Sequence, residues 1–323
     1  MKPFPIRVEK AIPISYKFIE WKIHNVCNHD CSFCNSKDKD GSNRWTTLEK
    51  YKQQTDKLVE ICNGSPVWIQ LTGGEPTLFP EVTDLLVYMK SKGVFTSMIS
   101  NGTRTIRWWK EFVELHPLDQ ILITYHSEQT IDYKHIAEVA NLFQDKPTEV
   151  IVLITHVSDS TNLAIEALDY LTEHTGAVMI LKAMMIRNYD IYATYTPEQL
   201  LRIHAPYSLG KFNSTKVKST VPQEHKINQQ MKIEFNTGEI ALTNTQTMLK
   251  NNETKFLGWE CDFGRDFMRI DGNMTTRGVC SVGSMTHIDD PKLSFTTDFI
   301  TCTQEMCFCS TDIFTTKRLP GTK

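Results

Sequence analysis

No stretch of the 323 residues approaches the roughly 18 consecutive apolar residues that a membrane-spanning helix requires. Neither sign of charge is in excess: 35 Lys and Arg stand against 38 Asp and Glu, a formal net charge of −3. That balance gives no electrostatic case for a nucleic-acid or membrane partner. The opening residues, MKPFPIRVEK, lack the apolar core and small-residue cleavage site of a secretory signal. A reducing, cytoplasmic setting is therefore expected. Internal repeats and long low-complexity tracts are also missing. What remains is an ordinary globular composition, 40% hydrophobic and 23% charged, long enough for one large domain or a large and a small one.

Cysteine is the exception, with nine residues distributed unevenly. Cys27, Cys31 and Cys34 lie near the front, Cys261, Cys280, Cys302, Cys307 and Cys309 lie in the last 65 residues, and Cys62 alone falls between. In a reducing compartment such clusters speak for metal binding rather than disulfides. Cys62, late in a helical segment, reads as a core residue.

From about residue 17 to 205 strand-like and helix-like segments alternate. FIEWKIH (18–24), VWIQLT (67–72), VFTSMIS (94–100), QILITYH (120–126), EVIVLITH (149–156) and AVMILKAMM (177–185) are short and rich in β-branched and aromatic residues. Between them, segments such as TLEKYKQQTDKLVEIC and TNLAIEALDYLTEH carry apolar residues at helical spacing. A sixth helix is expected to begin at TPEQLLRI (196–203). Six β-α units predict an α/β fold with a parallel sheet, as a partial barrel or an open doubly wound sheet. Residues 206–230 are polar and read as a linker or insertion, dividing 1–205 from 231–323. Two hairpins are predicted beyond it, MKIEFNTGEIALT (231–243) and FMRIDGNMTTRGVC (267–280). Trp108 and Trp109 sit at apolar helical spacing and are packing residues by that pattern.

The first strand should end near His24, which places the C-x3-C-x2-C of residues 27–34 in the following loop. Ligands of α/β sheets and barrels bind at the carboxyl ends of the strands. Three cysteines can be unmetallated thiols or metal ligands, and as ligands they admit two readings. A structural zinc wants a fourth ligand, for which His24 or His29 is available. A [4Fe–4S] cluster on three cysteines leaves one iron open. The second strand runs directly into QLTGGEP (70–76), whose Gly73 and Gly74 allow close backbone approach or positive φ. A plain glycine turn is the bland alternative. The third strand ends in ISNGT (99–103), where an Asn-Gly turn is the corresponding bland reading, and the fourth in TYHSE (124–128).

The C-x3-C-x-aromatic-C pattern, with Phe33 before the last cysteine, resembles the signature of the radical S-adenosylmethionine (SAM) superfamily. LTGGEP on the next strand end resembles that family's second motif. The resemblance implies a partial (β/α)6 TIM barrel and a [4Fe–4S] cluster on Cys27, Cys31 and Cys34. The open iron would take SAM, whose one-electron reduction gives a 5′-deoxyadenosyl radical that abstracts hydrogen from a substrate. By the same resemblance Gly73, Gly74 and Glu75 hold the amino end of SAM, Ser100 and Asn101 its ribose or carboxylate, and Phe33 and Thr124 complete the cofactor contacts. His126 and Lys182 are candidate catalytic residues by their placement at strand ends, with Met184 and Arg187 beside the latter. An external electron donor such as a flavodoxin or ferredoxin is implied as a partner.

The tail pattern C-x18-C-x21-C-x4-C-x-C resembles the twitch module, a shorter relative of the SPASM domain found in some of these enzymes. It implies a second, auxiliary [4Fe–4S] cluster, with Cys261 and Cys280 flanking the hairpin. Cys307 and Cys309 are the favoured remaining ligands and Cys302 stands in reserve. Zinc remains the alternative tenant. A net oxidation of a small molecule such as a sugar or aminocyclitol is the expected chemistry. Peptide or protein modification is the alternative substrate class, and a non-catalytic cluster or zinc scaffold the alternative of a different kind.

Overall fold

The computed structural model describes residues 3–129, 131–183, 195–203, 208–209, 230–276, 286–307 and 309–322. In chain order its elements are β1 (Pro5–Lys10), β2 (Lys17–Lys22), α1 (Leu48–Ile61), β3 (Val67–Thr72), α2 (Val82–Ser91), β4 (Phe95–Ser100), α3 (Ile106–Glu114), β5 (Gln120–His126), α4 (Tyr133–Asn141), β6 (Glu149–His156), α5 (Thr161–His174), β7 (Val178–Ala183) and α6 (Pro197–Ile203). There follow β8 (Ser208–Leu209), β9 (Gln230–Phe235), β10 (Ile240–Asn244), α7 (Thr245–Lys250), β11 (Glu260–Cys261), β12 (Phe267–Asp271), β13 (Met274–Thr276), β14 (Thr286–His287), β15 (Ile300–Thr301), α8 (Ser310–Ile313) and β16 (Lys317–Arg318). No helix among the described residues is long and apolar enough to cross a membrane.

The chain divides into two compact units: Lys22–Gln53 with Ile69–Val221, and Met1–Trp21 with Gln54–Trp68 and Pro222–Lys323. In the first, β3, β4, β5, β6 and β7 are successive neighbours, with β8 at the edge. The pairs β4–β5, β5–β6 and β6–β7 are parallel, in registers that include Ser100↔Ile123 and His126↔Thr155. Parallel strands covered on both faces read as nearly continuous apolar runs, and Ile121, Ile123, Val152 and Ile154 are all fully or almost fully buried. The helices cap as their sequences suggest. Thr105 accepts from the Trp108 amide and Asp132 from the Lys134 amide. Trp109 is wholly buried and packs edge-on against Phe112 and Phe143, and Trp108 stacks on Phe112. The six β-α units are those expected, of the kind that builds a partial (β/α)6 barrel, followed by a β-rich C-terminal region. The first strand ends at Lys22, two residues short of the expected His24, because the chain turns there into the cysteine loop.

The second unit contains a six-stranded sheet in the order β10-β9-β1-β16-β11-β15. The hairpin β9–β10 turns at residues 236–239 as anticipated. β1 pairs antiparallel with both β9 and β16, so the first strand of the chain belongs to the sheet of the last. Sequence alone gave no sign of that pairing. β12 and β13 form the second hairpin, whose far end, including Cys280, lies outside the described residues. Most of the proposed linker, residues 210–229, lies outside them as well. Cys62 is a buried thiol donating to the Leu58 carbonyl, a core residue as its place in α1 suggested.

Candidate metal and cofactor site

The loop after β2 is held by its own polar residues before any ligand is considered. Asn25 is 3% exposed, and its amide nitrogen donates to the Lys37 carbonyl, Asp40 and Ser42 at 2.7, 2.8 and 3.0 Å. Its oxygen accepts from the Asn43 amide at 2.8 Å. One buried side chain therefore closes the whole excursion from 25 to 43. Inside that excursion Lys39 donates to the Cys31 carbonyl at 2.7 Å and pairs with Asp30, and Lys22 pairs with Asp38 at 2.6 Å. From the end of β5, Glu128 accepts both the backbone amide and the hydroxyl of Ser32, each at 2.7 Å. That carboxylate ties the stretch between Cys31 and Cys34 to the strand end. Glu128→Ala should destabilise this tether by about 1 kcal/mol, read as faster loss of bound iron to a chelator with the unfolding midpoint little changed.

The glycines of LTGGEP face this same loop. The Gly74 amide donates to the His24 carbonyl at 2.9 Å and the Glu75 amide to the Val26 carbonyl at 2.8 Å. A Cβ on Gly73, whose φ is +150°, would lie 2.2 Å from the His24 oxygen, and one on Gly74 would lie 2.1 Å from the Val26 oxygen. The close approach that two glycines permit is thus an approach to the chain's own cysteine loop.

Glu75 is 1% exposed. Its carboxylate accepts from the Thr77 amide and hydroxyl at 3.1 and 2.6 Å, the Ser100 hydroxyl at 2.8 Å and the Asn101 amide at 2.7 Å. Burial pushes its carboxyl pKa up, and the bonds from Asn101, Thr77 and Ser100 oppose that shift. Ser100 and Asn101 are similarly engaged within the protein. Asn101 donates to Asn28 at 2.8 Å and accepts from Thr103, and Asn28 donates to the Thr103 hydroxyl at 2.8 Å. The Asn-Gly turn is present too, with Gly102 at φ +72°. Sequence reasoning missed Asn25, Asn28, Lys39 and Glu128 as organisers of the loop. Their signal was a density of Asn, Asp and Lys around the cysteines, which reads locally as solvated loop.

Cys27, His29, Cys31, Phe33, Cys34, Gly73, Gly74, Glu75, Ser100, Asn101, Thr124 and His126 are brought together around a cavity of about 170 Å³. Thr124 and His126 face it, whereas Tyr125 is buried on the other side of β5 against Tyr133. Phe33 lies against the His126 ring at 5.6 Å between centroids. Two candidates fall elsewhere. Lys182 is exposed at the end of β7 and is not among the lining residues, and Met184 and Arg187 lie outside the described residues. His24 is fully buried, its Nδ1 accepting from the Val26 amide and its ring edge-on to Trp45, so it does not present itself to the cysteines.

Burial raises the pKa of all three thiols, that of Cys31 to about 12 with Glu128 adding to the effect. Such thiols are protonated at neutral pH, and coordination to a metal is what removes the proton. Burial also lowers the pKa of His29 and takes that of His126 to about 4, so both imidazoles are neutral. Among the described residues, the group whose ligand atoms all lie within 4.8 Å of one another is His29, Cys31 and His126; the three cysteines do not form such a group. A single tetrahedral zinc with thiolate bonds of about 2.3 Å needs its sulfurs roughly 3.8 Å apart. The wider cysteine set fits a cluster that offers each thiolate its own iron.

In the other unit, Cys302 lies opposite Trp259, donating to its carbonyl at 2.7 Å, in line with the antiparallel pairing of β11 and β15. That register puts Cys302 and Cys261 on one face of the sheet. Cys307 joins them: its thiol is raised to about 12, by burial first, with Cys261 and Cys302 among the neighbouring contributors. Cys309 precedes α8, and the charges bearing on it are those of Asp312 and Glu20. The sheet register thus sets Cys302 on one face with Cys261, and Cys302 and Cys307 share one buried hydrophobic cluster; the spacing had favoured Cys307 and Cys309. Beside them Lys317 is 1% exposed, its ammonium held by the Ile313 and Thr315 carbonyls and the Thr315 hydroxyl. It favours the thiolates of Cys261 and Cys307. Nothing in the sequence marks this lysine as buried.

Residues 21–174 match the model of the Radical SAM superfamily. The chain is similar to the probable GTP 3′,8-cyclase of Thermococcus kodakarensis, 28% identical over 117 residues, which are 36% of this chain and 37% of that protein. It is similar also to the 7-carboxy-7-deazaguanine synthase of Haemophilus influenzae, 31% identical over 94 residues, 28% of this chain and 39% of that protein. The chain therefore spans well under two thirds of either relative. The solved structure of native anSMEcpe with bound AdoMet is similar at a TM-score of 0.45 and 16% identity, over 58% of this chain and 57% of that one.

Proposed function

Since residues 21–174 are a radical SAM superfamily domain, we propose that this chain cleaves SAM reductively and takes a hydrogen atom from a small-molecule substrate such as a sugar or aminocyclitol. The observation that carries the reading is the convergence of Cys27, Cys31 and Cys34 with both glycines of LTGGEP on one cavity at consecutive strand ends. Bound there, a [4Fe–4S] cluster supplies the single electron that breaks the sulfonium C–S bond. The chain's own part is positional. Asn25, Lys39 and Glu128 fix the loop that presents the thiols, and Gly73 and Gly74 let the β3 end pack against it. Phe33 and His126 wall the cavity. Anaerobic reconstitution with iron and sulfide, then dithionite and SAM, should release 5′-deoxyadenosine. Cys31→Ala should release none, and a cluster-loaded wild-type chain inert towards SAM would overturn the reading.

Among Cys261, Cys280, Cys302, Cys307 and Cys309, four would hold an auxiliary [4Fe–4S] cluster that would pass on the second electron of a net oxidation, with a flavodoxin or ferredoxin as the external donor. Iron content separates the possibilities: about eight atoms per chain for two cubes and about four for one.

A further inference from the structure

The cavity contains a second donor set, which shares Cys31 with the three cysteines and draws its other ligands from two histidines. We propose that in the cluster-free protein His29, Cys31 and His126 bind one zinc-class divalent ion, with water as the fourth ligand. The ligand atoms of these three residues already lie within 4.8 Å of one another, and they come from two separate places, the cysteine loop and the end of β5. One thiolate and two imidazoles with an open position form a borderline-soft set that suits zinc.

The hydrogen bonds leave the imidazoles ready to coordinate. The Thr155 hydroxyl lies 2.7 Å from His126 Nδ1 and 3.2 Å from the Tyr125 carbonyl, which can take its proton. With Nε2 as the metal-binding atom, the ring proton sits on Nδ1 and is donated to this hydroxyl. An outer partner of this kind is what orients a metal-binding histidine. His29 Nδ1 is buried without a hydrogen-bond partner, and the two rings meet edge-on at 5.5 Å between centroids. Cys31 is positioned from both sides, through its carbonyl by Lys39 and through its neighbour Ser32 by Glu128. The nearby carboxylates are committed elsewhere, Glu75 to its four donors and Asp38 to Lys22. On binding, the Cys31 thiol releases its proton to solvent and each imidazole contributes a lone pair.

Cys31 can serve only one occupant. Given the cluster assignment proposed above, on which this consequence rests, the ion and the cluster exclude each other. Zinc loading would hold the loop closed, leave Cys27 and Cys34 free to thiol reagents, and block cluster assembly until the ion is withdrawn.

The test uses the full-length, metal-free chain under anaerobic conditions, titrated with Co²⁺ as the spectroscopic probe and then with Zn²⁺. One equivalent of cobalt should give a thiolate-to-cobalt charge-transfer band that zinc abolishes. Cys27→Ser and Cys34→Ser should keep the band; Cys31→Ser and His126→Ala should lose it, and His29→Ala should weaken binding at least about tenfold. Thr155→Val, which removes the orienting hydroxyl and no ligand, should weaken it as well. His126→Ala and Thr155→Val chains that still take up a cluster from iron and sulfide show that the lost or weakened band is not misfolding. A band that disappears in Cys27→Ser or Cys34→Ser, or that survives at wild-type affinity in His126→Ala, would overturn the proposal. A wild-type chain that binds cobalt as described yet never assembles a cluster would leave this site standing and the catalytic reading fallen. One that assembles the cluster and gives no cobalt band would do the reverse.

Discussion

A Gly74→Ala chain will be unable to retain a cluster on Cys27, Cys31 and Cys34, although the substituted residue offers no ligand to it. The added Cβ would sit 2.1 Å from the Val26 carbonyl oxygen and 2.4 Å from its carbon. Overpacking costs about 1–3 kcal/mol where side chains can yield, but both of these atoms are backbone. Relief comes only by parting the β3 end from the cysteine loop. Parting them breaks the bonds from the Gly74 amide to His24 and from the Glu75 amide to Val26. The first thiol follows Val26 directly, so the loop's displacement is delivered to Cys27. Iron content and cluster absorbance after anaerobic reconstitution provide the measurement, with Gly93→Ala as the control. At Gly93 an added Cβ meets nothing within 4 Å; its φ of +76° makes alanine strained there by about 1–2 kcal/mol, a backbone cost with no clash against the cysteine loop, and that chain should keep its iron. Equal iron in the two variants would mean that the loop is held by its cluster and not by β3.

The two glycines show what was legible in the sequence. That backbone must approach closely at LTGGEP followed from residue type; what approaches was set by the fold. The six β-α units were readable because each strand and helix carries its own period, down to helix starts at Thr105 and Asp132. The pairing of β1 with β9 and β16 was not, since it joins residues more than 200 positions apart and leaves no local trace in PIRVEK. The cavity's reactive side was visible as a cysteine spacing, and its supporting side was not. Asn25, Glu128 and Lys317 act through partners distant in sequence or through burial that their polar character conceals. Cys302 was placed in reserve because spacing counts residues along the chain, whereas the β11–β15 register sets it on one face with Cys261.

Glu75 is where an inherited role and the geometry lead to different experiments. If its carboxylate serves only to hold the amino group of SAM, replacing it lowers SAM affinity and leaves the empty protein as stable as before. The structure predicts a different result. Four donors converge on this carboxylate, and two of them, the amides of Thr77 and Asn101, belong to the backbone and cannot turn to another acceptor. A buried donor stripped of its acceptor costs about 1–3 kcal/mol. Glu75→Ala should therefore destabilise the metal-free chain by roughly 3 kcal/mol or more, a large share of the about 5–15 kcal/mol that holds a typical domain together. Glu75→Gln keeps one acceptor oxygen and turns an NH2 towards part of the same donor set, so it should fall between Glu75→Ala and wild type. Urea unfolding of the cluster-free protein reads this directly, because neither SAM nor iron is present to contribute. The loss of Ser100 and Asn101 from their positions would follow, since the Ser100 hydroxyl and the Asn101 amide both rest on Glu75. SAM binding would then fail as a consequence, even with the cysteine cluster in place. Unchanged unfolding midpoints in both variants, alongside weakened SAM binding, would instead assign Glu75 to the ligand alone.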